Sequence, residues 1–219
     1  MERFQLEAAC AELPLFPLPG VLLIPGTTLP LHVFEPRYRQ LVKDCVETGK
    51  PLALPQVVMG GATDLLGSPA IHPYAGVGFV SGHHSLPDGR YNVFIQGLAR
   101  VKLTEEIADS GHPYRVAKAT LLEDEPVVGD NLARLGMLLR GLIAPLLARS
   151  GERGSLFLAG LVESGDERIA DAIAPLVLRD DDDRQAFLAE NNPLLRARLV
   201  ESRLLVALAG GSAQEVGEA

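Results

Sequence analysis

Hydrophobic and polar residues alternate along this chain in two distinct rhythms, and the change from one to the other falls near its middle. The first half consists of short apolar runs punctuated by Pro and Gly. Leu13-Pro14-Leu15-Phe16-Pro17-Leu18-Pro19-Gly20 leads into Val21-Leu22-Leu23-Ile24 and Pro25-Gly26, followed by Thr28-Leu29-Pro30-Leu31-His32-Val33-Phe34. Runs of this length bounded by turn residues predict strands of a small sheet or barrel. The prolines predict strand ends and edges, because Pro has no N–H to give a ladder. Leu52 to Met59, Val77 to Val80, Tyr91 to Leu98, Ala99 to Leu103 and Tyr114 to Leu122 predict further strands, with a break at Gly97. Leu86-Pro87-Asp88-Gly89-Arg90 predicts a tight turn, since Asp-Gly supplies the backbone freedom a hairpin needs.

One helix interrupts this half. Tyr38, Leu41, Val42, Cys45 and Val46 recur at helical spacing and share a face. Pro36 suits a first turn, where its missing N–H costs nothing, and Gly49 suits a left-handed stop. Glu123-Asp124-Glu125-Pro126 predicts a linker.

Beyond Asn131 the period becomes helical. Leu132, Leu135, Leu138, Leu139, Leu142 and Ile143 predict one helix, which Gly136, Gly141 and Pro145 weaken. Phe157 to Glu163 predicts a short helix. Ile169, Ala172, Ile173 and Leu176 predict another, ended or kinked at Pro175. Asp180 to Asp183 open a helix containing Phe187 and Leu188, where carboxylates complement the dipole. Asn192 caps a last helix begun by Pro193, with Leu195, Leu199, Leu204 and Leu205 near one face. The tail from Gly210 is expected to be disordered. The expected organisation is a β-rich unit over 1–125, a helical bundle over 126–209 and a tail over 210–219.

Composition narrows the function classes. Of 219 residues, 47% are hydrophobic and 22% charged, which suits a folded core. Net charge is −8, and residues 1–125 and 126–219 each hold 10 Lys+Arg against 14 Asp+Glu with no basic run. The clustered cations that displace counterions from a phosphate backbone are missing, so no nucleic-acid partner is expected. Cys10 and Cys45 match no metal spacing. The first residues do not read as a signal peptide, and no apolar stretch of spanning length is free of Pro, Gly or charge. The expectation is a cytoplasmic protein with reduced thiols and no membrane partner.

Several segments, taken in order, carry a family resemblance. LPLFPLPGVLLIPGTTLPLHVFEPRYRQLVKDCV over residues 13–46 resembles the opening signature of the Lon protease N-terminal substrate-binding domain. PYAGVGFV, LPDGRYNVFIQGLARVKLTEE and PYRVAKATLLEDEP are similar to its later strands, and the resemblance spans about residues 13 to 206. It implies an α+β fold: a PUA-like β-barrel or pseudobarrel with one inserted helix, followed by a C-terminal helical bundle. It also implies a stand-alone bacterial form of that domain, a non-enzymatic recognition module for unfolded or extended polypeptides or for a protein partner. The ATPase and Ser–Lys protease modules of full-length Lon have no counterpart here. No G-x-x-x-x-G-K-[ST] occurs, and the last lysine is Lys118. No catalytic residue, cofactor or metal is expected. Monomer and weak homodimer both stay open.

Other chemistry is less well supported. His83 and His84 are adjacent, and adjacent strand residues point to opposite faces, so both could ligate one metal only across a bend. His72 and His112 precede prolines and are expected in turns. Ser81, Ser85 and Ser155 lack a nucleophile elbow, although a hydrolase built on His83, His84 and Ser85 is one alternative. RNA binding by a PUA-like barrel is another, and it needs a positive groove. Cys45 lies on the apolar helix face as a buried thiol. Asp180 to Asp183 lack the alternating ligands of a calcium loop. Phe34, Glu35, Arg37, Tyr38 and Arg39 form a charged knuckle at the strand-to-helix junction. Their structural reading is a Glu35–Arg pair fixing the turn with Tyr38 packed inward. Their functional reading is a rim contacting polypeptide, and this is the candidate binding site.

Overall fold

The computed structural model describes residues 3–58, 69–149, 165 and 168–215. The chain divides into two compact units, Met1–Glu123 and Asp124–Ala219.

The first unit is built on one long antiparallel hairpin. β4 (Ile71–Ser85) and β5 (Tyr91–Glu106) pair along nearly their whole length, with bulges at Val77/Gly78 and Val80/Gly82. The hairpin closes at Leu86–Arg90, where Gly89 takes φ 78° and Asp88 Oδ1 accepts the Arg90 N–H at 3.1 Å. Such long strands twist and coil, and the two halves of β5 take different neighbours. Its first half pairs with β2 (Thr28–Val33), and its second half pairs with β6 (Val116–Leu122). β3 (Leu52–Val57) lines the far side of β4.

The proline-rich segment at Leu13 bridges the curled sheet from end to end. β1 (Leu13–Pro14) pairs with β6, while Leu15 and Leu18 form parallel bridges to β3. Leu15, Phe16 and Leu18, the residues from Pro14 to Pro19 that own an N–H, donate to the carbonyls of Arg115, Ala53 and Pro55 at 2.8, 2.8 and 3.1 Å. The prolines therefore fall where no donor is required.

Val21–Ile24 differs from its expected strand. It joins no ladder, yet Leu22, Leu23 and Ile24 are all buried. The segment crosses the β4–β5 ladder where the sheet has no side chains. A Cβ on Gly76 would lie 2.0 Å from Leu23 O, and one on Gly97 would lie 2.1 Å from Ile24 O. Gly97 was expected to break a strand, but β5 runs through it, because the glycine serves close approach rather than a turn. His72 likewise lies within β4 and not in a turn, while His112 lies in the loop before β6.

A short helix, α1 (Arg3–Ala9), precedes the sheet, and α2 (Pro36–Thr48) is the inserted helix. α2 starts on Pro36 and stops at Gly49, which is left-handed at φ 68°. It buries Tyr38, Leu41, Val42 and Cys45, and leaves Val46 36% exposed. A helix of this length is marginal alone. Burial of a large apolar side chain is worth about 1.5–3 kcal/mol, so packing onto the core of Phe16, Val33, Leu54, Val93 and Ile95 holds it.

The second unit is helical, as expected for this α+β fold: α3 (Asn131–Ala148), α4 (Ile169–Val177), α5 (Asp181–Ala189) and α6 (Pro193–Glu215). α6 packs against the other three. α3 continues past Pro145, and α4 runs two residues beyond Pro175. Asp180 accepts from the Asp182 and Asp183 N–H groups, and Asn192 Oδ1 accepts from Leu194 N at 3.0 Å, so both expected caps are present. The buried face of α6 is Ala197, Val200 and Leu204; Leu195 and Leu205 turn outward. The helix also continues through Gly210 to Glu215, where a tail was expected. α3 is long and apolar enough to cross a membrane by composition alone, a property it shares with core helices; it buries Leu132, Leu135, Leu139 and Ile143. The segment Phe157–Glu163 and Ser155 lie outside the described residues.

Candidate functional site

The strand-to-helix junction resolves into separate tasks. Arg37 donates to Glu35 Oε2 from Nε at 3.0 Å and from Nη2 at 2.9 Å, which fixes the turn into α2. Tyr38 is 5% exposed, with its ring 4.4 Å from that of Phe16 and the Arg37 guanidinium 4.6 Å above it. Burial raises its phenol above the ordinary value, and neighbouring Arg37 opposes this. The Arg39 guanidinium lies against Gly89 in the hairpin turn, at a distance that leaves no room there for a Cβ. Phe34 alone of the five faces fully outward, 61% exposed, with its ring 6.4 Å from that of His32.

Phe34 borders a larger surface that sequence reasoning missed. In the three-stranded part of the sheet, Pro30 of β2 and Gly82 of β4 both pair with Phe94 of β5. His32 and His84 both pair with Asn92, one step along on the same face. Phe94 is 52% exposed at the centre of this row, and His32 Nδ1 sits 2.7 Å from Asn92 Oδ1 at its end. With Gly82 beside it, no large side chain covers the ring from β4. The signal was available in the alternation: Val93 and Ile95 are buried, so Phe94 falls on the phase reserved for polar residues. An aromatic ring held outward by a sheet on both sides is rigid and already exposed, as an interaction anchor must be.

The remaining candidates do not assemble. His83 and His84 are exposed on opposite faces near the hairpin end, and Ser85 is exposed beside them. Ser81 Oγ donates to Phe94 O at 3.1 Å. Among the described residues, no three His, Cys, Asp or Glu side chains cluster as a metal site. Cys45 is 3% exposed and its thiol is pushed up to about 12, first by burial and then by the Asp44 charge. Asp180 is occupied in capping, and Asp181 and Asp183 hold Arg184 and Arg203. Two hollows among the described residues of this unit lie elsewhere: a groove of about 1040 Å³ between α1, the end of α2 and the end of β5, and one of about 530 Å³ beside the 107–115 loop.

Residues 12–205 match the family described as the ATP-dependent protease La (LON) substrate-binding domain. The chain belongs to that family. The match is to this domain and not to a catalytic one. Lon protease 1 of Herpetosiphon aurantiacus is 27% identical over 87% of this chain, which is 23% of that protein. The Lon protease of Anaeromyxobacter dehalogenans is 30% identical over 55% of this chain and 14% of that protein. The chain thus spans less than a quarter of the length of these Lon proteases. Two solved structures share the fold. A Lon N-terminal domain protein from Xanthomonas campestris superposes with TM-score 0.60 at 24% identity, over 88% of this chain and 98% of that one. The N-terminal domain of Mycobacterium avium complex Lon protease does so with TM-score 0.68 at 12% identity, over 88% and 97%.

Proposed function

We propose that this Lon-type domain is a non-enzymatic recognition module that binds unfolded or extended polypeptide segments on the outer face of β2, β5 and β4. The observation that carries this reading is Phe94, an aromatic side chain exposed mid-sheet between Pro30 and Gly82. Phe34 and His32 extend the apolar strip toward α2. Several cations of this unit are held by carboxylates, among them Arg37 by Glu35, Arg90 by Asp88 and Arg115 by Glu106. That favours a polypeptide over a phosphate backbone. Binding through one or two aromatic contacts is weak and tolerant of sequence.

The test is a titration of a reduced, carboxymethylated model protein against the wild type and against Phe94→Ser and Phe34→Ser. Burial of one Phe ring is worth about 1.5–3 kcal/mol, so Phe94→Ser should weaken binding about tenfold or more. Its unfolding midpoint should barely move, because the ring is already exposed. Undiminished binding by both variants would move the site away from this face, and no binding by the wild type would remove the reading altogether.

A further inference from the structure

The face around Phe94 ends at β2, and β2 has a second, unused side. Among the described residues it pairs with β5 alone, and no strand lies along its other edge. The hydrogen-bond phase of that edge follows from one contact. Gly97 N donates to Thr27 O at 2.8 Å, and an antiparallel ladder repeats every two residues. Leu29, Leu31 and Val33 therefore bond inward to β5, while Thr28, Pro30 and His32 turn their backbone groups outward. Thr28 and His32 turn two N–H donors away from β5, and all three residues turn carbonyl acceptors the same way. Pro30 lacks an N–H and sits where β5 does not require one.

A second observation concerns the core. Leu29 and Leu31 point inward on the side opposite Pro30, yet both are only partly buried against the core that holds α2. A neighbouring strand would cover them. The edge thus presents backbone groups flanked by apolar side chains on both faces, with Leu29 and Leu31 beneath and Phe94 and Phe34 above.

We infer that the open edge of β2 accepts an extended polypeptide as an added strand, with backbone pairing supplying affinity and the flanking apolar residues receiving alternate side chains. This rests on the polypeptide-binding reading and specifies its geometry. The partner is a segment in β conformation with apolar residues at alternate positions and no fixed sequence. Pro30 shortens the usable ladder to two donors, which keeps the pairing reversible. It also opposes pairing of β2 with β2 of a second copy, where two such prolines would meet.

The probe is a capped peptide of alternating leucine and serine, compared with the same peptide N-methylated along its central residues. Methylation removes the donors and keeps every side chain. Loss of about two hydrogen bonds predicts binding at least tenfold weaker for the methylated peptide. Amide exchange at Thr28 and His32 should slow when the unmodified peptide saturates the full chain. Equal affinity of both peptides, with the effect of Phe94→Ser retained, would overturn strand addition and leave recognition by the sheet face intact. Protection of Thr28 and His32 that rises with protein concentration in the absence of peptide would overturn it in favour of a second copy. Absence of binding by either peptide would remove both readings together.

Discussion

The hydroxyl of Tyr114 donates to Asp44 Oδ2 at 2.7 Å and so ties the end of the 107–115 loop to the middle of α2. Gln40 Nε2 holds the other carboxylate oxygen at 2.7 Å, and the His112 ring stacks on Tyr114 at 4.7 Å. Ring and carboxylate belong to elements 70 residues apart, and this bond sets how the loop lies against the helix. Tyr114→Phe removes the donor and keeps the ring, so it should cost about 1.5–3 kcal/mol, the usual worth of a hydrogen bond to a charged group. Urea unfolding with an unchanged slope would register it. A variant as stable as the wild type would mean that the bond contributes nothing.

The same bond makes stability depend on alkaline pH. Burial first, then the hydrogen bond to Asp44 and its charge, hold the Tyr114 phenol well above its ordinary value of 10.0. A group whose folded pKa is raised contributes stability that is present below the unfolded pKa and is lost as pH rises toward the folded one. Above about pH 10 the unfolded chain releases the proton more readily than the native chain does, and unfolding becomes easier. The unfolding midpoint should therefore fall more steeply above pH 10 in the wild type than in Tyr114→Phe. Parallel curves would contradict the assignment.

Cys45 should be silent toward thiol reagents in the native protein. It is buried on the inner face of α2 with its thiol pushed up to about 12, so almost no thiolate exists near pH 8. In a Cys10→Ser background, an aromatic disulfide reagent at pH 8 should label urea-unfolded protein promptly and native protein only as fast as it opens. Labelling of the native state at the unfolded rate would show an accessible thiol.

Two glycines separate close approach from simple flexibility. Gly97→Ala would place a methyl 2.1 Å from the backbone oxygen of Ile24, which cannot move without displacing the buried Leu22–Ile24 crossing. A cost of about 3 kcal/mol is expected, at the upper end for overpacking. Gly141 on α3 has nothing within 4 Å of its added Cβ, so Gly141→Ala should stabilise by up to about 1 kcal/mol. Thermal melts of the two variants should move in opposite directions.

The parts of this fold that were legible in the sequence are those whose determinants are local. α2 declared itself through Pro36, the Tyr38–Leu41–Val42–Cys45 spacing and Gly49, and the β4–β5 turn through Asp88-Gly89. Val21–Ile24 was misread because consecutive buried residues look alike in a paired strand and in a segment crossing a sheet; only Gly76 and Gly97, far along the chain, distinguish them. The candidate site was half legible for the same reason. Phe34 stood at a visible junction, whereas the exposure of Phe94 depends on which residues of β2 and β4 lie beside it. The stretch Glu123–Pro126 was read as a linker from composition, and the division between the two units falls within it, while its Asp124 also engages a residue 72 positions away.

That residue is Arg196, whose side chain is 3% exposed at the start of α6. Its Nη1 and Nη2 meet Asp124 at 2.6 and 2.9 Å, its Nε meets Asp171 of α4 at 3.3 Å, and Nη1 also donates to Glu190 O at 3.1 Å. One guanidinium thereby joins the first residue of the helical unit to α4 and to the turn before α6. The planar fork matters, because an ammonium cannot meet both Asp124 oxygens and Asp171 from one position. Arg196→Met withdraws a buried cation from Asp171, only 16% exposed, and should destabilise the helical unit by about 3 kcal/mol. Asp124 is half exposed, so water replaces most of what it loses, and Asp124→Asn should cost only about 1 kcal/mol. Arg196→Lys should fall between them. Urea unfolding followed by helical circular dichroism gives the order, and an Asp124→Asn loss as large as that of Arg196→Met would place the energetic weight on the exposed pair instead of the buried one.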